Sequence, residues 1–465
     1  MIKELLHKIG VDKSIAYSSG SSVIAAFAGL ITIYFISAYL TSEEQGYYFT
    51  FGSLLAIQTF FDLGLTGILT QYVAHEQAHL EWNDNKVQLH GDNKYLSRLS
   101  DLLHFSVKWY AIISTLLLIT LIIVGLMFFS HYSKSNFISW KIPWILVCIG
   151  TSLNLFLAPI LSFLTGLGKV EDVARIQFIR QLIIPSISWL GFILKFKLYV
   201  LGIASVSSAI FVLIFIALTS FRPILFNIWK AEIEERVSYM NEIFPFQWKI
   251  ALSWISGYFI FQLFNPVLFA TEGATVAGQM GMTLQVLNNI SAFSFNWINT
   301  KVPLFSRLIE IKNYFELDKI FNKTILQESS ICLLMLIFFI FGVFLIRIFG
   351  ITFHDNLLAD RFLGVVPIIF MSTTIYANQF TSSFATYLRC HKKEPFLVNS
   401  IVMGILTMAS TLIFGKLYGL YGICIGYVAL TLFVGLPWGY LIYKTKKNEW
   451  HEYGKAYFIN KNTNI

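Results

Sequence analysis

Twelve apolar runs, each about 20 residues long and bounded by charged or turn-forming residues, recur along the chain at 18–40, 46–71, 104–129, 142–165, 176–194, 198–221, 246–270, 274–301, 327–347, 362–388, 395–415 and 420–443. A run of that length crosses the hydrocarbon of a bilayer as a helix, and an even number of runs puts both termini on one side. Ile2, Leu5, Leu6 and Ile9 precede the first run at helical spacing and predict a short amphipathic helix over 2–13 lying on the membrane surface. A second interfacial helix is expected between the eighth and ninth runs, with Leu308, Ile311, Phe315 and Ile320 on one face.

Composition strengthens this reading. Of 465 residues, 56% are hydrophobic and only 13% charged, against about 25% charged in an average globular chain, and this excludes a soluble protein. The formal charge of +8 is spread over short segments between apolar runs, which argues against nucleic-acid binding and for topology signals. Of the 34 Lys and Arg residues, 27 fall on the side of the N-terminus, so both termini are expected in the cytoplasm. The outer turns Thr41 to Gln45, Thr271 to Glu272 and Lys416 to Gly419 are too short for any outer domain. The four cysteines show no metal or redox spacing, and no disulfide framework is expected. The first run is too long for a signal-peptide core and lacks a small-residue cleavage site, so it is read as a membrane helix.

The fold class is therefore all-α, a polytopic membrane protein of about 12 transmembrane helices in two six-helix lobes. The expected organisation is a cytoplasmic amphipathic N-terminus (1–17), an N-lobe (18–221), a cytoplasmic linker (222–245), a C-lobe (246–443) and a basic cytoplasmic tail (444–465). Six spans per lobe make any repeat parallel, about an axis along the membrane normal. Internal identity adds little beyond the Gly-containing segments Gly46 to Gly52 and Gly278 to Gly281.

Polar residues inside spans are costly unless they face protein or water. In the eighth run Gln285, Asn289, Asn296 and Asn299 share a helical stripe, with Asn288 and Ser291 beside it. The stripe is either interhelical hydrogen-bonding glue or a wall of a hydrated cavity; Gln262, Asn265, Asn378 and Gln379 extend it. Arg180, followed by Pro185, and Lys249 are the cationic candidates, which either snorkel to the surface or face a cleft suited to a phosphate or diphosphate. Asp62 is the carboxylate well inside a span of the first half, read as structural or coupling: a partner for Arg180 or a cap for a kink near Gly64.

His75-Glu76-Gln77-Ala78-His79 fits H-E-x-x-H, in which two histidines one turn apart hold zinc and the glutamate serves as general base. An intramembrane metalloprotease is the reading of another class. No later third ligand is evident, and the polar residues cluster elsewhere; no metal, cofactor or catalytic residue is assigned, and the chain is not expected to be an enzyme. A sugar polymerase is disfavoured by the short outer loops.

Ala38-Tyr39-Leu40-Thr41-Ser42-Glu43-Glu44-Gln45-Gly46-Tyr47-Tyr48, followed by Phe61-Asp62-Leu63-Gly64-Leu65, resembles the opening of bacterial polysaccharide and O-antigen lipid-carrier flippases of the multidrug/oligosaccharidyl-lipid/polysaccharide exporter superfamily. Phe246 to Tyr258 and Ala277-Gly278-Gln279-Met280-Gly281-Met282-Thr283 resemble segments of the same exporters. The resemblance implies a V-shaped pair of lobes in the bacterial inner (cytoplasmic) membrane. It also implies alternating-access transport of an undecaprenyl-diphosphate-linked oligosaccharide to the periplasmic leaflet, in O-antigen or lipopolysaccharide assembly, beside other polysaccharide-assembly membrane proteins. On this resemblance Arg180 and Lys249 would meet the diphosphate. A cation-coupled multidrug antiporter of the same superfamily is the alternative, although the acidic residue usual in the first span of that branch is absent from Ser18 to Leu40.

Overall fold

The computed structural model describes residues 13–83, 87–133, 137–353, 356–391 and 393–462, and these are overwhelmingly helical. The surface helix expected over 2–13 lies outside the described residues but for its last position. The chain divides into two compact units, residues 1–255 and 256–465.

The first unit contains α1 (Lys13–Tyr39), α2 (Ser42–Leu55), α3 (Thr59–Asp62), α4 (Leu65–Gln77), α5 (Asn93–Tyr132), α6 (Lys141–Gly166), α7 (Val170–Ile193), α8 (Tyr199–Leu218), α9 (Phe221–Trp229) and the start of α10 (Phe244–Phe261). Helix α6 packs on α4, α5 and α8, while α1 packs on α7. In lipid, helices associate through close packing rather than through exclusion of water, so small residues decide where backbones meet. Gly125 on α5 is such a place: a Cβ there would lie 2.1 Å from the Trp144 ring of α6. Trp144 is fully buried, donates its indole N–H to the Leu121 carbonyl at 3.1 Å, and meets Phe51 and Phe129 edge-on at 5.0 and 5.6 Å. The acidic turn after α1 is a capping box: Thr41 Oγ1 accepts from the Glu44 amide at 3.2 Å while Glu44 Oε2 accepts from the Thr41 amide at 2.9 Å.

The second predicted span is broken rather than straight. After α2 comes one 3-10 turn (Ala56–Gln58), then the single turn of α3, and Leu63 and Gly64 take left-handed φ values of 50° and 71° before α4 resumes. A Cβ on Gly64 would lie 2.4 Å from Ile250, so glycine is required there twice over.

The second unit holds the end of α10, α11 (Phe264–Thr271), α12 (Ala274–Asn299), α13 (Val302–Glu310), α14 (Tyr314–Ile348), α15 (Val365–Arg389), α16 (Leu397–Leu430) and α17 (Leu436–Asn462). Helix α12 packs against α11, α14 and α15, and α15 packs against α16 and α17. Inside α16, Gly419 breaks the helix at φ 57° and ψ −138°. Cβ atoms on Gly422 and Gly426 would touch Phe414 and Ser410, which places 420–430 antiparallel to 397–418. Those are the two separate spans expected at 395–415 and 420–443.

Among the described residues, eight helical stretches are long and apolar enough to cross a membrane, and one of them (Leu397–His451) contains that hairpin and so has the length for two crossings. The remaining three of the twelve are α1, α12 and α15; α12 and α15 fall short because amide and hydroxyl side chains dilute their apolar character. The single interfacial helix expected after α12 is instead two helices. Lys312 turns left-handed at φ 56°, Asn313 caps α14 by accepting from the Glu316 amide at 3.2 Å, and Phe315 ends 81% exposed.

Candidate functional site

Arg180 sits midway along α7, half-buried, and reaches into a cradle made by three helices. Its Nε donates to Ser208 Oγ of α8 at 2.9 Å, its Nη2 to Asn154 Oδ1 of α6 at 2.9 Å and its Nη1 to Gln177 Oε1 at 3.2 Å. Asn154 is itself fixed, donating Nδ2 to the Gly150 and Ser205 carbonyls at 2.7 and 3.0 Å. Every one of these partners is neutral. Arg180 forms no ion pair with a carboxylate among the described residues, so a full positive charge is held inside the helical bundle by dipoles alone. That arrangement leaves electrostatic room for an anion. The arginine stands out in the sequence, whereas Asn154 and Ser208 do not, each being one of several small polar residues on its helix.

Asp62 does not pair with Arg180. It accepts from the Tyr110 hydroxyl at 2.7 Å and from Thr66 Oγ1 at 3.1 Å, bridging the break between α3 and α4 to α5. This is the kink-capping arrangement. Lys249, on α10, is exposed with Nζ 5.8 Å from the Trp248 ring centroid, and no bond joins it to the Arg180 cradle among the described residues.

In the second unit, α12 buries Thr283, Leu287, Ile290, Ser294 and Ile298 on one face. The expected amide stripe lies on another: Gln285, Asn289 and Asn296 are partly buried and Asn299 is exposed. The Asn289 amide nitrogen is shielded and has no partner among the described residues. Flanking amides are consumed internally. Ser291 Oγ donates to Gln379 Oε1 and Gln379 Nε2 returns a bond to the Ser291 carbonyl, both at 2.9 Å, while Asn378 donates to the Tyr427 hydroxyl at 3.1 Å. The second unit also buries a carboxylate that the sequence pattern does not single out: Glu328 of α14 is 1% exposed and accepts from Ser383 Oγ at 2.7 Å.

The H-E-x-x-H segment lies at the end of α4. His75 and His79 are 5.8 Å apart between ring centroids, and His79 stacks on Tyr95 at 4.0 Å. Glu76, the general base of such a motif, is buried and bound by Arg98 Nε at 2.9 Å, so its charge is already committed. No group of three metal-ligating side chains occurs among the described residues.

Arg98 belongs to a larger device. Its Nη2 holds Glu242 Oε2 at 2.7 Å, and together with Gln71, Tyr72, His75 and Glu76 these groups line a cleft of about 410 Å³. Burial alone would push the Glu242 carboxyl up, but the Arg98 hydrogen bond and the Ser238 amide outweigh it and hold it below its ordinary value. The segment before Glu242 is clipped along the same face of α5. Ser97 Oγ accepts from the amides of Glu234 and Glu235 at 2.7 and 2.9 Å, Asp101 accepts from the Val237 amide at 2.8 Å, and Ser100 Oγ donates to the Ala231 carbonyl at 3.0 Å. Residues 231–242 are thus a strap bonded to α5, not a free tether.

No family model and no curated protein matches the chain. Solved structures do. A multidrug resistance MATE family transporter of the MOP superfamily, in an inward-facing conformation, superposes with a TM-score of 0.60 at 14% identity over 91% of this chain and 99% of that one. The MATE multidrug transporter DinF-BH, solved as a complex, gives 0.54 at 12% identity over 94% and 96%. The lipid II flippase MurJ, in an inward closed conformation, gives 0.52 at 15% identity over 93% and 87%. At such identities the likeness is one of fold, and it extends over nearly the whole chain: this is a polytopic membrane protein with the architecture of those transporters.

Proposed function

We propose that the chain is a transporter of the bacterial inner membrane, with both termini cytoplasmic, which moves an undecaprenyl-diphosphate-linked oligosaccharide from the cytoplasmic to the periplasmic leaflet for O-antigen or other surface polysaccharide. The observation that carries this reading is the Arg180 cradle: a cation inside the helices, bonded only to neutral side chains, is complementary to a diphosphate and repels a cationic drug. The amide stripe of α12 supplies donors and acceptors suited to sugar hydroxyls, in a helix whose buried face already satisfies its packing. Asp62 keeps a structural role through Tyr110 and Thr66. Lys249 is assigned to the approach of the diphosphate because it is exposed on a long, flexible stem.

A cation-coupled multidrug antiporter is the second reading, favoured by the higher TM-score to a multidrug transporter than to the lipid II flippase. α1 (Lys13–Tyr39) carries no carboxylate for such coupling. Deletion of the gene separates the two. The flippase reading expects lipid-linked oligosaccharide to accumulate and surface glycan to disappear with drug tolerance unchanged. Drug hypersensitivity with intact glycan would establish the antiporter instead.

A further inference from the structure

The end of the first unit that carries the α1–α2, α5–α6 and α7–α8 turns holds an unusual concentration of positive charge. Of the seven basic residues the sequence places on the outer side, four belong to the two turns flanking α6 and α8: Lys134, Lys141, Lys195 and Lys197. Lys134 lies outside the described residues. The other three line two adjoining grooves, one of about 560 Å³ that includes Ser139, Trp140, Lys141 and Tyr199, and one of about 270 Å³ that includes Ser139, Lys195, Lys197 and Tyr199. Ile138, Ser139 and Tyr199 are common to both, so the two grooves share a wall. The acidic group in this lining is Glu44, buried against Lys197 Nζ at 2.8 Å, which leaves the lining at a net charge of +2.

Two features set this corner apart from lysines that merely snorkel. Lys195 and Lys197 both hold left-handed backbone, at φ 61° and 48°. Lys195 occupies the position after α7 where glycine is normally found, with its amide bonded to the Phe192 carbonyl and the Phe196 amide to the Gly191 carbonyl, both at 2.9 Å. A lysine there is strained where glycine would not be, so the turn accepts strain twice in a segment that presents two ammonium groups to one groove. Trp140 and Tyr199 flank the lysines at the helix ends, the level at which such rings meet headgroups.

We propose that this groove binds the phosphate of a lipid, with Lys141 and Lys195 pairing to its oxygens, the hydroxyls of Ser139 and Tyr199 donating beside them, and Lys197 held in place by Glu44. That the groove faces the outer leaflet rests on the functional reading above. Phosphate chemistry has two sources here: a bulk anionic phospholipid, or the polyprenyl diphosphate after it has crossed.

The test is native mass spectrometry of the full chain in detergent, titrated separately with phosphatidylglycerol, phosphatidylcholine and undecaprenyl diphosphate. The wild type should retain an anionic lipid about tenfold more tightly than Lys141→Gln/Lys195→Gln, while Lys141→Arg/Lys195→Arg should keep most of the affinity. Neither lysine replaced belongs to the Lys197–Glu44 pair, so the turn retains its anchor. Equal losses for phosphatidylglycerol and undecaprenyl diphosphate would identify a general lipid-phosphate site; a loss confined to the latter would identify an exit site for the carrier. Unchanged binding of both anionic lipids by the Gln variant would overturn the proposal. Because binding is read without transport, lysine-dependent lipid retention in a chain that fails to flip any carrier would leave this site standing and remove only the transport reading.

Discussion

Replacing Arg180 by Gln removes the charge while keeping part of the cradle's hydrogen bonding. Arg180→Ala would strand Asn154 Oδ1 and Ser208 Oγ, each now bonded at 2.9 Å, and so mixes a stability loss of about 1–3 kcal/mol into any transport defect. Glutamine places its amide nitrogen where the Arg180 Nε now sits, so it can still donate to Ser208, while the positive charge and the reach to Asn154 are lost. A charge-assisted contact to a diphosphate contributes about 1.5–3 kcal/mol, so Arg180→Gln should lower transport roughly 10- to 100-fold. Arg180→Lys should retain part of the activity, because a point charge survives without the planar fork that engages Asn154 and Ser208 together. The assay is surface glycan restored in a deletion strain, read against protein abundance in the membrane. Full complementation by Arg180→Gln at matched abundance would exclude a role for the positive charge and leave Arg180 as interhelical packing.

Single cysteines at Gln285, Asn289, Asn296 and Asn299, in a background lacking the four native cysteines, should react with a small hydrophilic thiol reagent faster than one at the buried Leu287; uniform inertness would make the stripe packing glue. His75→Ala/His79→Ala should leave surface glycan intact, and stoichiometric zinc in the purified wild type together with inactivity of the double variant would contradict that. The strap over α5 should loosen in Ser97→Ala/Asp101→Asn, with protease cleavage appearing within 231–242 in membranes; wild-type resistance would mean that these bonds are dispensable. Since the Glu242 carboxyl is held below its ordinary value of 4.5, its stabilisation is complete above that pH and fades as the pH falls through the lower folded value. Glu242→Gln should abolish that acid-side loss in the same protease assay, and an unchanged acid profile would exclude Glu242 as its source.

The membrane helices were legible because lipid imposes a length and a composition: the run at 18–40 became α1 and the run at 142–165 became α6, with ends shifted by a few residues. What lies beyond the hydrocarbon was not. Helix α5 begins at Asn93, eleven residues ahead of its apolar run, and that polar extension carries Ser97, Arg98 and Asp101, the anchors of the strap. Hydropathy reports the stretch that faces lipid and is silent on a helix continuing through water. The left-handed pair Leu63 and Gly64 escaped because one member is leucine, although the glycine had suggested a kink. Arg180 was found by its cost in an apolar run, whereas Asn154 and Ser208 are common enough in membrane helices to carry no signal until three helices converge. Glu328 lies at the edge of its apolar run, yet its burial depends on which face of α14 it occupies, and the pattern of one helix does not state its neighbours.

Flipping by the purified chain is the immediate measure of lipid-linked oligosaccharide transport. Proteoliposomes carrying an undecaprenyl-diphosphate-linked oligosaccharide with a fluorescent sugar would be probed with a membrane-impermeant reagent that destroys fluorescence in the accessible leaflet. Transport of the lipid-linked oligosaccharide makes the protected fraction accessible in the presence of wild-type chain and leaves it protected with Arg180→Gln. Protection that persists with wild-type chain at full incorporation, alongside export of a cationic dye by the same vesicles, would contradict it.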